Sequence, residues 1–492
     1  MAAALLFAAL VAACTTHSGG AADLLLTHAA VWTGDPARPD AQAVAIIGDR
    51  IVAVGSDAEI ARWRGPATQV VNAGGRRALP GFNDAHVHFA AGGDQLVSVD
   101  LRDAGSPDEF ARRIIERARS RPGEWVLGGR WDARRWSPAQ LPTRQLIDDA
   151  TNGTPVFVTR ADGRAALANA AALGRAGITE RSPDPVGGRI VRDAQGFPTG
   201  LLEGAAMDAV ARVVPKPTAD DRRQTMMRAL DHAASFGVTS VQDMDPDPAD
   251  VSTLAELAER GRLTVRVYAI PNEARWFEQA RLGLRRAFGS PLLRLGAVSG
   301  DAVAGGGEML TRLMAADHAG LQLCINAEPD AASAAIDLLA SVVQANGERD
   351  RRMRIEHAER VTAGEVDRVA AIAAVALVQP AAAADATALR ALHQRHVPLA
   401  FATDWPSAPL NPMIGLAAAA RDIPIADAIA AYTRGSAFAE FQETAKGTIV
   451  RGALADLVVL SDDVLRMPGD RLGRVAVVTT IAGGQVVHQR RP

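Results

Sequence analysis

The chain has 492 residues, 48% of them hydrophobic, which is more apolar material than one ordinary domain of about 100–200 residues needs for its core. Its 53 basic residues nearly balance 56 acidic ones, for a formal net charge of −3. This excludes broad attraction to nucleic acid or anionic lipid and points to a small-molecule partner. Cys14 and Cys324 are the only cysteines, so no disulfide framework holds the molecule together.

Residues 1–22 read as a signal and tether. Met1 to Ala13 form a short apolar run ending in small residues, suited to an export signal rather than to a membrane span of about 20 residues. Val11-Ala12-Ala13-Cys14 resembles a bacterial lipobox, which predicts lipidation at Cys14 and an exported, periplasmic or outer-membrane-anchored lipoprotein that meets the membrane only through that anchor. No Lys or Arg precedes the run, so a plain secretory signal or another start site stays open.

Residues 23–80 alternate short β-branched runs with turn signals. The Gly48-Asp49 pair between Ala43–Ile47 and Arg50–Gly55 predicts a hairpin. Residues 446–492 repeat that style in Ala455–Leu460 and Val475–Ile481, so the two chain ends are expected to pair in one composite β-sandwich. Between them, Val238–Gln242, Leu263–Ala269, Leu321–Ile325, Met353–Glu356, Val375–Val378 and Val397–Phe401 alternate with helical stretches. That rhythm predicts βαβ units and a parallel sheet, closing over residues 81–445 into an α/β barrel whose site lies at the C-terminal strand ends. Residues of about 100–200 break the rhythm with Gly, Pro, Trp and Arg clusters and read as an insertion after the first barrel strand.

Leu79-Pro-Gly-Phe-Asn-Asp-Ala-His86-Val-His88 is the strongest chemical feature. Side chains two apart on a strand share a face, so His86 and His88 can bind one metal ion together. Asp404 follows the run Leu399–Thr403 at the tip of the expected eighth strand, where a carboxylate can touch the ion and take a proton from water that the cation activates. A helix N-cap before Trp405-Pro406 is the plainer role for it. His357, after Met353–Glu356, could ligate the metal, bond to substrate, or be a satisfied structural histidine. His232, His318, His393 and His396 read by default as solvated.

These residues sit among further matches: Gly48–Gly55, Pro198–Leu202, Gly237–Ser240, Arg354–Ala358, Gln379-Pro380, Thr403–Pro406, Leu410–Pro412, Ala431–Thr433 and Ala455–Leu460. Together they resemble the amidohydrolase superfamily, in its amidohydrolase family 3 branch, over nearly the whole chain after residue 22. The resemblance implies a TIM-type (β/α)8 barrel with a composite β-sandwich. It also implies a divalent metal of zinc type and hydrolysis of C–N bonds in non-peptide or cyclic amides, with Asp404 as general base and His357 as a catalytic or ligating group.

Several family positions differ. The lysine that the family carboxylates on its fourth strand is missing from Leu295–Asp301, where Ser299 stands, and Lys216 and Lys446 lie elsewhere. Asn326 replaces the fifth-strand histidine, and the insertion reads Asp162-Gly163-Arg164 where the family has histidine last. A neutral Asn is a poor zinc ligand, so one ion on His86, His88 and Asp404, completed by His357, is expected rather than two. Asp301 or Glu203 could add a carboxylate. Arg164, Asn326 and Trp131 are candidate substrate contacts, Arg164 through bidentate recognition of a carboxylate. The changes at Ser299, Asn326 and Arg164 also support a second reading, a barrel that has lost catalysis and serves as a periplasmic binding or scaffold protein. An isomerase or deaminase on the same barrel is a third.

Overall fold

The β-branched and apolar runs between residues 81 and 402 form eight parallel strands in the computed structural model, which describes residues 20–137, 139–303, 307–327, 331–383 and 387–490. They are β1 (Phe82–Val87), β2 (Val238–Met244), β3 (Arg266–Ile270), β4 (Ala297–Asp301), β5 (Gln322–Asn326), β6 (Arg354–Glu356), β7 (Val375–Val378) and β8 (Leu399–Phe401). Most of their residues are buried on both faces, as parallel strands covered by helices must be, which is why they read as continuous apolar runs. Cys14, the expected lipidation site, and His17 lie outside the described residues. Among the described residues no helix is long and apolar enough to cross a membrane.

The ladders fall into two arcs. One runs β1–β2–β3 and continues to Leu293–Leu295, and the other runs β4–β5–β6–β7–β8. The break falls at Gly296, whose φ of +107° turns the chain between Leu293–Leu295, which pairs with β3, and β4, which pairs with β5. A Cβ at Gly296 would lie 1.9 Å from the Arg285 carbonyl oxygen, so no larger residue fits this step. The arcs do not form one continuous ladder, and separate hydrogen bonds join them. Ser299 N donates to Pro271 O at 2.9 Å on one side, while Asp404 N to His86 O at 3.0 Å and His88 N to Trp405 O at 2.8 Å join β8 to β1 on the other. This is a TIM-barrel-type α/β fold. One large apolar cluster, including Phe82, Met226, Leu254, Leu313, Ile336 and Leu416, spans the strands and the helices packed around them.

The Gly48-Asp49 hairpin forms as expected, with Ile47 opposite Arg50 and Gly48 at positive φ. Its strands belong to a four-stranded sheet made only of N-terminal segments. A six-stranded sheet mixes the chain ends, since Leu457–Leu460 pairs antiparallel with Arg77–Pro80. Leu24, Leu26, Val44, Leu457 and Ile481 share one apolar cluster between these sheets.

Residues 99–204 build a six-stranded sheet of their own. The helix Pro107–Ser120 lies against it, started by the Ser106 N-cap and burying Phe110 and Ile114 at helical spacing. Trp131 corrects an expectation. Its ring is fully buried beside Phe110 and Trp136, and its Nε1 donates to Val158 O at 3.1 Å, so it is a core residue with no face to offer a substrate.

Candidate metal centre

The strand period places His86 and His88 as expected. Both rings leave the end of β1 on the same side, 5.5 Å apart between centroids. Each ring is oriented through Nδ1. His86 Nδ1 meets Glu356 Oε2 at 2.8 Å and His88 Nδ1 meets the Met244 carbonyl at 3.0 Å. With Nδ1–H donating in both, the two Nε2 atoms carry lone pairs, and they face Asp404 Oδ1 at 3.8 and 3.9 Å. One ligand atom from each of His86, His88 and Asp404 lies within 4.8 Å of the others.

Asp404 reaches this point because the chain turns sharply after β8. Its φ is +58°, a left-handed conformation that Asp tolerates better than most side chains, and its N–H is fixed to His86 O. Asp84 pins the same turn from β1. Its Oδ1 accepts from Thr403 N at 3.0 Å and its Oδ2 from Thr403 Oγ at 2.6 Å. Trp405 then fills the space beside the helix Phe89–Val97, so close that a Cβ at Gly92 would come within 2.3 Å of the indole. His232 is not on a solvated face. It stacks on Trp405 at 5.5 Å.

The surroundings tune the charges. Burial, with His86 beside it, lowers the pKa of His88 and favours the neutral ring that a metal ligand must be. Burial raises Asp84 to about 6 against the hydrogen bonds from Thr403 and His86. Burial and the neighbouring Asp250 and Asp245 raise Asp243 to about 7. One of its oxygens takes Phe89 N at 2.7 Å, and the other is buried without a hydrogen bond. Burial would raise Glu356, but Arg354 and His86 hold it below the usual carboxylate range. Arg354, also fully buried, donates to Glu356 Oε1 at 2.8 Å, to Ala85 O at 2.7 Å and to Gln242 Oε1.

The other sequence candidates divide. His357 lies beside the centre, its ring 5.0 Å from that of His86, in a left-handed turn with Nδ1 at 3.2 Å from Glu359 and 3.3 Å from Gln379. Asn326 is half-buried at the end of β5, level with Glu356, and its carbonyl accepts from Ala302 N. Ser299, where the family's lysine would stand, donates its hydroxyl to Asp245. Asp301 is exposed and caps a turn through Val303 N at 2.9 Å, and Glu203 pairs with Arg189 in the inserted sheet, so neither adds a carboxylate to the group. Arg164 is exposed in the turn that Asp162 caps. The sequence reading missed Glu356, Arg354, Asp84 and Asp243. The usable signal was ionisable residues inside strands that are otherwise apolar.

Residues 69–488 match the sequence model described as the amidohydrolase family. The chain belongs to the amidohydrolase family. It is a hydrolase acting on carbon–nitrogen bonds. This amidohydrolase is 33% identical to the protein LONG AFTER FAR-RED 3 of Arabidopsis thaliana across 96% of its own length and 93% of that protein's. A shorter stretch, 37% of the chain, is 37% identical to 35% of an N-substituted formamide deformylase from Arthrobacter pascens. Its fold is that of an uncharacterized metal-dependent hydrolase from Pyrococcus furiosus, with a TM-score of 0.72 at 23% identity over 90% of this chain and all of that one.

Proposed function

We propose that this amidohydrolase holds one divalent cation on His86, His88 and Asp404 and cleaves a non-peptide amide or cyclic amide bond of a small molecule. The convergence of two Nε2 atoms on one carboxylate oxygen carries the reading. Two imidazoles and a carboxylate are a donor set that zinc accepts, with one position left open for chemistry. Ser299 and Asn326 supply neither a bridging carbamate nor an imidazole, which favours one ion over two. The strand arcs act in this reading as a TIM-type barrel with its site at the C-terminal face, beside a β-sandwich made from both chain ends. The apolar run before Cys14 supports export with a lipid anchor.

When bound, the cation polarises the scissile carbonyl and eases loss of a proton from water. Asp404 takes that proton and returns it to the leaving nitrogen as the C–N bond breaks, so one water is consumed and an acid and an amine form. Glu356, anchored by Arg354, keeps the His86 proton on Nδ1. Met244 O does the same for His88. His357, beside His86, donates a hydrogen bond to the substrate.

The test is metal analysis and turnover on one preparation. Zinc-loaded protein is expected to carry about one ion per chain, and to hydrolyse some member of a panel of N-substituted formamides, N-acyl amino acids and hydantoins. His88→Ala is expected to lose the ion and at least about a thousandfold in kcat/KM, the scale of losing a transition-state charge stabiliser. Ligand binding without turnover in fully loaded protein would reject the hydrolase and support the scaffold reading. An ion retained at full stoichiometry in His88→Ala would remove the metal assignment.

A further inference from the structure

At the ends of the strands opposite the metal centre, the loops leading into β4, β5 and β6 meet in a cavity of about 210 Å³. Its charged lining residues are Arg285, Arg286, Arg349, Arg351 and Asp317. Leu321, also in its wall, directly precedes β5, whose five residues separate the cavity from the rim at Asn326 by about 17 Å. This site is therefore distinct from the metal centre.

The one lining carboxylate is already committed. Asp317 is buried, and its Oδ1 receives Arg351 Nε at 2.9 Å and Arg349 Nη2 at 2.7 Å, while its Oδ2 receives Asn346 Nδ2 at 2.8 Å. Arg351 is itself buried, at 6% exposure, and lines the cavity with Nη2 donating to the Gly347 carbonyl. Arg286 donates to the backbone carbonyl of Asp350 and lies over the Phe441 ring, 4.6 Å from its centroid. Arg285 has no hydrogen-bond or ion-pair partner for its side chain among the described residues. Nearby acids do not balance the account. The Asp350 carboxylate lies 3.4 Å from Arg352, which Glu443 already pairs through two hydrogen bonds at 2.8 Å, so this group offsets one positive charge, and Glu348 makes no ion pair among the described residues.

Four guanidinium groups thus line a small space with one carboxylate, an excess of three positive charges of which the Arg352, Glu443 and Asp350 group offsets one. Like charges at such range repel appreciably at the effective dielectric of a protein surface, and an anion removes that cost. The planar forks of Arg suit a tetrahedral oxyanion better than a monatomic one, because each can donate two parallel hydrogen bonds. We propose that this cavity binds a phosphate-class oxyanion, either free or as the phosphoryl group of a small metabolite.

The experiment uses metal-loaded full-length protein titrated with orthophosphate, with glycerol phosphate, and with sodium chloride at matched ionic strength, followed by calorimetry and thermal melting. The expected result is saturable one-to-one binding of a phosphate species, with a melting temperature that climbs with its concentration and is not reproduced by chloride. Tighter binding of orthophosphate assigns a free ion, and tighter binding of glycerol phosphate a phosphorylated metabolite. Arg285→Ala and Arg349→Ala alter exposed side chains and are expected to fold, keep their metal and weaken the affinity at least about tenfold. A response no greater than that to chloride overturns the proposal. So does wild-type affinity in both variants, which would place the anion elsewhere, the metal centre included.

Discussion

The two ends of the barrel-type strand arcs bury ionisable groups in opposite ways. At the floor, the charges buried directly beneath the strands close on one another, away from the arginine cavity at the same end. Glu440 takes Lys446 Nζ and Asn83 Nδ2, each at 2.7 Å, together with the Arg294 guanidinium. Lys446 also donates to Ser240 Oγ at 2.7 Å, and Arg266 binds Asp456 through two hydrogen bonds at 2.6 and 3.0 Å. At the rim, Glu356 and Arg354 are satisfied, but Glu356 for His86 and the Met244 carbonyl for His88 leave both Nε2 atoms without a hydrogen bond among the described residues. Closed networks hold the strand arcs in place, while an open valence, supported from behind, is what a metal ion can use. The same strands carry both, separated by a few residues.

Lys446→Met should break the floor and spare the rim. Burial lowers the pKa of Lys446 and would raise that of Glu440, but the pair, with Arg294, keeps Glu440 below its usual range. Removing the ammonium leaves a buried carboxylate short of a partner, at a cost of about 3–5 kcal/mol in urea unfolding. Metal content and turnover per folded molecule should be unchanged. Loss of the ion at full stability would show that the two ends are not separable.

Glu356→Gln should act mainly at the rim. The amide cannot hold the His86 proton on Nδ1 as a carboxylate does, so metal affinity measured by competition with a chelator should fall by about 10–100-fold. Some stability is lost as well, because fully buried Arg354 gives up its counter-charge. An unchanged metal affinity would mean that Glu356 orients nothing and belongs with the closed networks.

Much of this contrast was visible before the structure. Period-two spacing put His86 and His88 on one face, and apolar runs located β2, β5, β6, β7 and β8 to within a few residues. The break before β4 was not visible, because Gly296 is decided by the approach of the Arg285 carbonyl, which the preceding turn folds back against it. Trp131 was misread for a similar reason. Its flanking glycines and arginines look like a surface loop, while Phe110 reaches it from the helix Pro107–Ser120 and nearby Trp136 folds back beside it. Glu356 and Arg354 lie within the Arg354–Ala358 stretch, yet their pairing with His86 and Gln242 spans strands far apart in sequence. Local pattern shows where a side chain points, and only tertiary contact shows what it meets.

His232 offers the gentlest probe, since it touches the seam between β8 and β1 without belonging to either network. Its ring stacks on Trp405, whose carbonyl holds His88 N, and burial alone lowers its pKa. A histidine with a lowered folded-state pKa binds fewer protons when folded than when unfolded. Stability is therefore complete above the unfolded value of about 6.5 and declines as the pH falls through it toward the folded value. His232→Phe keeps an aromatic ring against Trp405 and removes the titration. In melts between pH 8 and pH 5, the variant should lose less stability on acidification than the parent, with metal content at pH 8 unaltered. If both lose the same amount, the acid sensitivity arises elsewhere and His232 is only a packing residue. If the variant also loses its metal, the Trp405 contact reaches the ligands, and the rim depends on packing as well as on Glu356.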